Sequence, residues 1–188
     1  DGRTDTDGYI VEAKAIEEIC QKNKCKDVIV ARNASDSERL ASARRTAFSA
    51  LARLAPTTIL EDATVPRSHL AEMIRFVDKT AKKYRLRIGT FGHMGDGNLH
   101  PTFLTDERNK EEMHRVEEAF SEIFREAIRL GGTITGEHGI GLAKKGFLQE
   151  FAGETSMRVM EELRFALDPN GILNPGKIFD PKRTARSW

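Results

Sequence analysis

The sequence predicts an α+β sandwich, a mainly antiparallel sheet covered by helices on one face. Three observations lead there. Helical and strand-like patterns follow one another in the order αβαβαββαβ, ahead of a last helix and an irregular tail. A glycine-rich reversal joins two of the strands directly, as in a hairpin. The chain also lacks a strand–GxGxxG–helix unit: Gly92-x-x-Gly95-x-Gly97 has the wrong glycine order, which argues against a dinucleotide-binding fold.

Residues 12–22 place Ala13, Ile16, Ile19 and Cys20 at helical spacing. Residues 27–31 (DVIVA) read as a short buried strand. Ser35 with Glu38 is a capping-box pair opening a long helix, whose face is traced by Leu40, Ala43, Ala47, Leu51 and Leu54 until Pro56 ends it. Residues 57–65 are β-rich, and Pro66 leads into a helix with Leu70, Met73, Ile74, Val77 and Ala81 inward. Residues 85–91 and 98–104 are expected as strands on either side of the reversal. The strongest helical period runs over 110–130, through Met113, Val116, Phe120, Ile123, Phe124 and Ala127, with Gly131 as its stop. Residues 133–135 are a further strand. A last helix spans about 156–167 before the turn Asp168-Pro169-Asn170-Gly171.

Composition narrows the function without choosing it. Thirty basic residues face 29 acidic ones, so bulk charge supports neither a nucleic-acid nor a lipid-surface role. No run of 18 apolar residues occurs, and the opening residues lack the pattern of a signal peptide. Cys20 and Cys25 suit a reduced setting better than a disulfide framework or a four-cysteine metal site. The expectation is a cytoplasmic protein, peripheral to the inner membrane only through partners.

Glycine and histidine are unevenly spread. Of the 15 glycines, four fall between Gly89 and Gly97 and six between Gly131 and Gly146, and the same windows hold His93, His100 and His138. In the first window, Asp96-Gly97 is a preferred pair for a two-residue type I′ loop. That loop would set His93 opposite His100, with Cβ atoms about 4.5–5.5 Å apart on one sheet face. Two imidazoles so placed can chelate one metal ion. A longer or bulged loop would remove that pairing, although the rings could still converge. The bland alternative is a pair of surface histidines.

In the second window, Glu137-His138 sits between glycines after a strand. Glu137 could complete a metal shell while His138 faces a substrate as proton acceptor. Two histidines and one carboxylate leave coordination positions open, as catalytic sites require. Alternatively, this is a turn leading into a helix, with Glu137 paired to Lys144 or Lys145.

The motifs GHMGDGNLH (92–100), GEHGIG (136–141) and DPNGILNPGK (168–177) together resemble the C-terminal domain of FAD-linked 2-hydroxyacid dehydrogenases. This is the group of glycolate oxidase flavoprotein subunits, D-lactate dehydrogenases and D-2-hydroxyglutarate dehydrogenases among vanillyl-alcohol-oxidase-type flavoproteins. Stretches 39–48 (RLASARRTAF) and 61–66 (EDATVP) are also similar to it, so the resemblance covers essentially all of 1–188. It implies a ferredoxin-like, duplicated α+β cap over a flavin. It makes His93, His100 and Glu137 ligands of a divalent metal (zinc, manganese or iron), His138 the general base, and Arg44 the grip on the substrate carboxylate. Asn174 would lie close to the flavin-binding domain. Ala41 stands where the family often has an aromatic residue shortly before that arginine.

The FAD-binding domain of such enzymes has no counterpart in these residues, and Asp1-Gly2 resembles the end of a strand cut away. The chain thus reads as a fragment, inactive alone and binding metal weakly or not at all. Its partners would be a small 2-hydroxy acid, that domain of the same protein and an electron-acceptor subunit. An apolar face around 173–179 and the glycine windows would favour a homodimer. Two competing functions are a stand-alone metal-dependent hydrolase, disfavoured by the lack of a second carboxylate cluster, and a non-catalytic interaction module.

Overall fold

A computed structural model of the chain describes residues 6–180. The strand-end reading of Asp1-Gly2 lies outside the described residues. The chain divides into two compact units, the first up to Phe48 and the second from Ser49 onward.

The first unit holds α1 (Thr6–Lys22) and α2 (Ala34–Arg45). No residue from Val11 to Phe48 is fully buried, and Val11, Ile16, Ile19, Ile29 and Val30 are exposed. The strand expected over 27–31 does not form: a strand needs a ladder for its backbone groups, and none is offered to it among the described residues. The Ser35–Glu38 capping box does not form either. Asn33 caps α2 instead, its side chain accepting the Asp36 N–H at 2.9 Å, while Glu38 pairs with Arg45. The long helix is interrupted at Thr46, whose hydroxyl bonds back to the carbonyls of Ser42 and Ala43 at 3.1 Å. α3 (Ala47–Ala52) follows, across the boundary between the units.

The second unit is α+β. It runs β1 (Thr57–Leu60), β2 (Ala63–Thr64), α4 (Leu70–Tyr84), β3 (Arg87–His93), β4 (Asn98–Thr105), α5 (Lys110–Arg129) and α6 (Lys145–Leu167). All pairings are antiparallel around a central β4, with β3 along one edge and β1 then β2 along the other. β1 and β2 keep one register against β4, so Glu61 and Asp62 fall opposite Pro101 and His100. The ladder lapses there because Pro101 has no N–H to donate, although its carbonyl accepts from Glu61 at 3.2 Å. A fourth position is occupied only by a bridge from Thr64 to Thr133. This is the β-α-β-β-α-β order of a ferredoxin-like unit. Among the described residues it occurs once, so the duplication implied by the resemblance has no second sheet here.

Every residue of β4 is buried. Leu99 and Phe103 enter the main core with Ala63, Val65, Met73, Val77, Val116, Ala119 and Ile123, beneath α4 and α5. Asn98, His100 and Thr102 alternate onto the opposite face. A second cluster of Phe124, Ile134 and Leu148 joins the first through Phe120, whose ring lies 4.3 Å from Phe103 and 5.9 Å from Phe124. That cluster fixes the segment that follows α5.

Boundaries differ in three places. Arg85 is a left-handed cap of α4 at φ 53°, so β3 starts at Arg87. The strand expected over 133–135 shrinks to one bridge because its next N–H groups turn toward Asp62. The last helix begins at Lys145 rather than near 156, with Gly153 breaking its helical geometry. Two glycines, Gly146 and Gly153, mask that first segment in the sequence. Within the apolar stretch expected to be exposed over 173–179, Leu173 is exposed, as is the neighbouring Ile172, whereas Ile178 packs into the second cluster. No helix among the described residues is long and apolar enough to cross a membrane.

Candidate functional site

His93 and His100 lie on the sheet face opposite α4 and α5, but not as the two-residue loop predicts. The loop spans four residues, and the observed pairs are His93 with Asn98 and Phe91 with His100. A type I′ turn needs positive φ at both central residues. Gly97 takes it at 77°, Asp96 does not, and the Gly97 carbonyl is held by the Val65 N–H at 3.0 Å. The register therefore slips by two, which preserves the side-chain faces; a slip of one would have sent the rings to opposite sides. His93 and His100 become diagonal neighbours, with ring centroids 5.3 Å apart.

Glu137 and His138 reach the same face on the turn after Ile134. Glu137 Oε1 lies 3.0 Å from His100 Nε2 and 3.5 Å from His93 Nε2. His138 Nε2 is 3.8 Å from that same oxygen, and its ring stacks on His100 at 5.1 Å. The alternative partners of Glu137 are committed elsewhere: Lys144 pairs with Asp62 and Glu61, and Lys145 with Asp180. Gly136 lets the turn pass close to the sheet: a Cβ there would stand 2.5 Å from Asn98 Nδ2 and 2.6 Å from Thr64 Oγ1, and both side chains would have to shift. A pocket of about 340 Å³ opens beside the cluster, lined by Thr64, His93, Asp96, Asn98, Gly136 and Glu137. A larger groove along α6 shares no lining residue with it.

The donor set fits a divalent cation. The donor atoms of His93, His100 and Glu137 all lie within 4.8 Å of one another. Two ligands on one tetrahedral ion with bonds near 2 Å are about 3.3 Å apart, which matches both histidine–glutamate spacings. Burial, with His138 nearby, pushes the His100 imidazole below its ordinary pKa. A neutral imidazole can donate its Nε2–H to the Glu137 oxygen 3.0 Å away, and a divalent cation would take the place of that proton between the two groups. His100 Nδ1 is the one buried side-chain polar atom without a hydrogen-bond partner among the described residues.

One residue of the site, Asp62, escaped the sequence reading, and Lys144 was read there only as a possible partner of Glu137. Asp62 is fully buried, and its Oδ2 accepts the N–H groups of Gly136, Glu137 and His138 at 2.7, 2.8 and 3.0 Å. Its Oδ1 pairs with the buried Lys144 and lies 3.7 Å from His138 Nδ1. Burial alone would raise the Asp62 carboxyl, but the Lys144 hydrogen bond and those N–H groups hold it well below the carboxylate range. The available signal was an acidic pair, Glu61-Asp62, inside a β-rich stretch. Of the other candidates, Arg44 is an exposed residue of α2 in the first unit. Asn174 is exposed at φ 47°, its carbonyl held by Arg164 at 3.2 Å, and it does not line the pocket beside the histidines.

Residues 2–178 match the family of FAD linked oxidases, C-terminal domain. The chain belongs to that family. It is 54% identical over 168 residues to the glycolate oxidase subunit GlcD of Bacillus subtilis, covering 89% of this chain and 36% of the relative. It is 32% identical over 166 residues to the subunit of the same name from Escherichia coli K12, covering 88% and 33%. The mitochondrial D-lactate dehydrogenase [cytochrome] of Arabidopsis thaliana is 31% identical over 179 residues, covering 94% and 32%. The chain thus spans about a third of the length of the curated relatives it matches. Membership in this FAD-linked oxidase family weighs against the stand-alone hydrolase and the simple docking module.

Proposed function

We propose that the chain is the substrate- and metal-binding cap of a flavin-dependent 2-hydroxyacid dehydrogenase, which oxidises glycolate, D-lactate or a related 2-hydroxy acid to the 2-oxo acid. The observation that carries this reading is the convergence of His93, His100 and Glu137 within 4.8 Å, next to His138, in a chain of this family. Those three residues would hold a divalent ion, which would supply Lewis acidity for the oxidation. FAD, bound mainly by a separate domain of the same protein, supplies the hydride acceptor.

The remaining work falls to side chains of this chain. His138 takes the hydroxyl proton as the C2 hydride departs, and imidazole is the side chain suited to that transfer near neutral pH. Thr64 donates to Asn98 Oδ1 at 3.0 Å, and the pair gives the pocket wall a fixed polar edge. Arg44 holds the substrate carboxylate through its planar fork, a role that rests on the family resemblance. Asn174 is assigned beside the flavin on the same ground. The FAD-binding domain, an electron-acceptor subunit and a second copy of the protein are the partners this reading calls for.

The test uses the full-length protein, a panel of 2-hydroxy acids and an artificial electron acceptor, with bound metal measured alongside. His138→Ala should lower turnover about 10²–10⁴-fold while metal content stays. His93→Ala and His100→Ala should lose both. Full activity in all three variants would overturn the proposal.

A further inference from the structure

The turn that carries Glu137 and His138 has an anchor of its own. Three consecutive N–H groups, from Gly136 to His138, converge on the single oxygen Asp62 Oδ2 at 2.7–3.0 Å. Successive amides meet at one point only when the backbone curls into a nest, and the curl sets where the intervening side chains leave the chain. Thr135 ties both ends of the curl, its hydroxyl lying 3.3 Å from Asp62 Oδ2 and accepting the Gly139 N–H at 2.9 Å. The anchor belongs to the sheet: Asp62 falls opposite His100 in the register shared by β1 and β2. One strand segment therefore sets the turn and faces the histidine it must meet.

A buried carboxylate with four donors still needs a counter-charge. Lys144, 2% exposed, supplies it: its Nζ pairs with Asp62 Oδ1, donates to the Asp62 carbonyl at 3.3 Å, and lies 3.3 Å from Glu61 Oε2. It also sits 5.6 Å over the Phe124 ring of the second core cluster. The Glu137 side chain instead faces the imidazoles of His93, His100 and His138.

We propose that Asp62 and Lys144 are positioning residues that hold the Glu137–His138 turn ready for its ligands, so that the turn is set by the protein and not by the ion. The claim deepens the function proposed above and rests on it for the roles of Glu137 and His138. It implies that the turn has the same backbone conformation with and without metal.

The experiment is amide hydrogen exchange on the full-length protein, stripped with a chelator and then reloaded with Mn²⁺. Residues 136–138 should be protected in the stripped protein and change by less than about threefold on reloading. Protection that appears only with Mn²⁺ would overturn the proposal. The double variant Asp62→Leu/Lys144→Met removes both charges together and keeps the volume roughly constant, a replacement that buried ion pairs often tolerate. It should exchange at least about tenfold faster at 136–138, with 98–105 unchanged, and bind Mn²⁺ about 10–100-fold more weakly. A folded double variant with wild-type turn exchange and Mn²⁺ affinity overturns the proposal; if that variant does not fold, the wild-type comparison decides alone. A wild-type protein that binds no Mn²⁺ yet protects the turn sinks the metal reading and leaves the anchor standing.

Discussion

His93 and His100 reach the site on neighbouring strands, whereas Glu137 and His138 reach it on a turn. The first pair is placed by register: β4 is buried along its whole length, and pairing on both edges leaves its side chains no choice of face. The second pair is placed by charge: one buried carboxylate gathers the turn's N–H groups, and one buried ammonium makes that carboxylate tenable. The partly exposed His93 can thus be cut away with little harm to the fold, unlike the buried His100. The turn-borne pair depends on Asp62 and Lys144 beneath it, and harm to those groups spreads.

The contrast is sharpest at Lys144. Lys144→Met leaves Asp62 buried without its counter-ion and should cost about 3–5 kcal/mol, read from denaturant unfolding. A cost below 1 kcal/mol, on the order of an exposed pair, would erase the distinction between the two regions. Gly136→Ala comes next. Its Cβ would press on Asn98 and Thr64, and the loss should be about 1–3 kcal/mol, with metal binding weakened as the turn moves. Unchanged melting and metal content would show the turn to be looser than its hydrogen bonds indicate.

On the strand side the effects on folding are smaller. The His93 side chain is 38% exposed, and His93→Ala should alter stability by no more than about 0.5 kcal/mol while metal binding collapses. Calorimetric unfolding together with metal analysis separates the two outcomes, and a large loss of stability would mean that His93 braces the sheet. The smallest effect is expected at Glu61. Burial raises its carboxyl above the ordinary range, with Lys144 pulling the other way. A carboxyl raised on folding contributes stability that is complete below its unfolded value and fades as pH rises through the folded one. Glu61→Gln should therefore flatten the fall in stability on going from about pH 4.5 toward neutrality, as measured by melting across that range.

Much of this architecture was legible in the chain. The helical periods of α4 and α5 and the strand patterns flanking the reversal are properties of nearby residues, and they appear where the sequence puts them. The first unit was read less well. Residues 27–31 have a strand's composition but no partner, and Asn33 outcompeted Ser35 as the cap of α2 because capping is decided by which side chain reaches the free N–H groups. The first half of α6 was hidden by its flanking glycines, which only packing of Leu148 and Phe147 on Phe124 overcomes.

The site divides along the same line. Four of the six residues singled out from the sequence meet on one face of the sheet. Their chemistry and their glycine setting are written in the order of residues, so the sequence alone determined that imidazoles and a carboxylate would be available together. It could not determine the loop length. That was settled when Val65 claimed the Gly97 carbonyl and moved the register by two. Nor could it reveal that Asp62 and Lys144, 82 positions apart, would meet in the interior. Local order dictates which groups exist and which period they follow; the burial of one charge against another is a property of the folded whole, because only there is water removed from both.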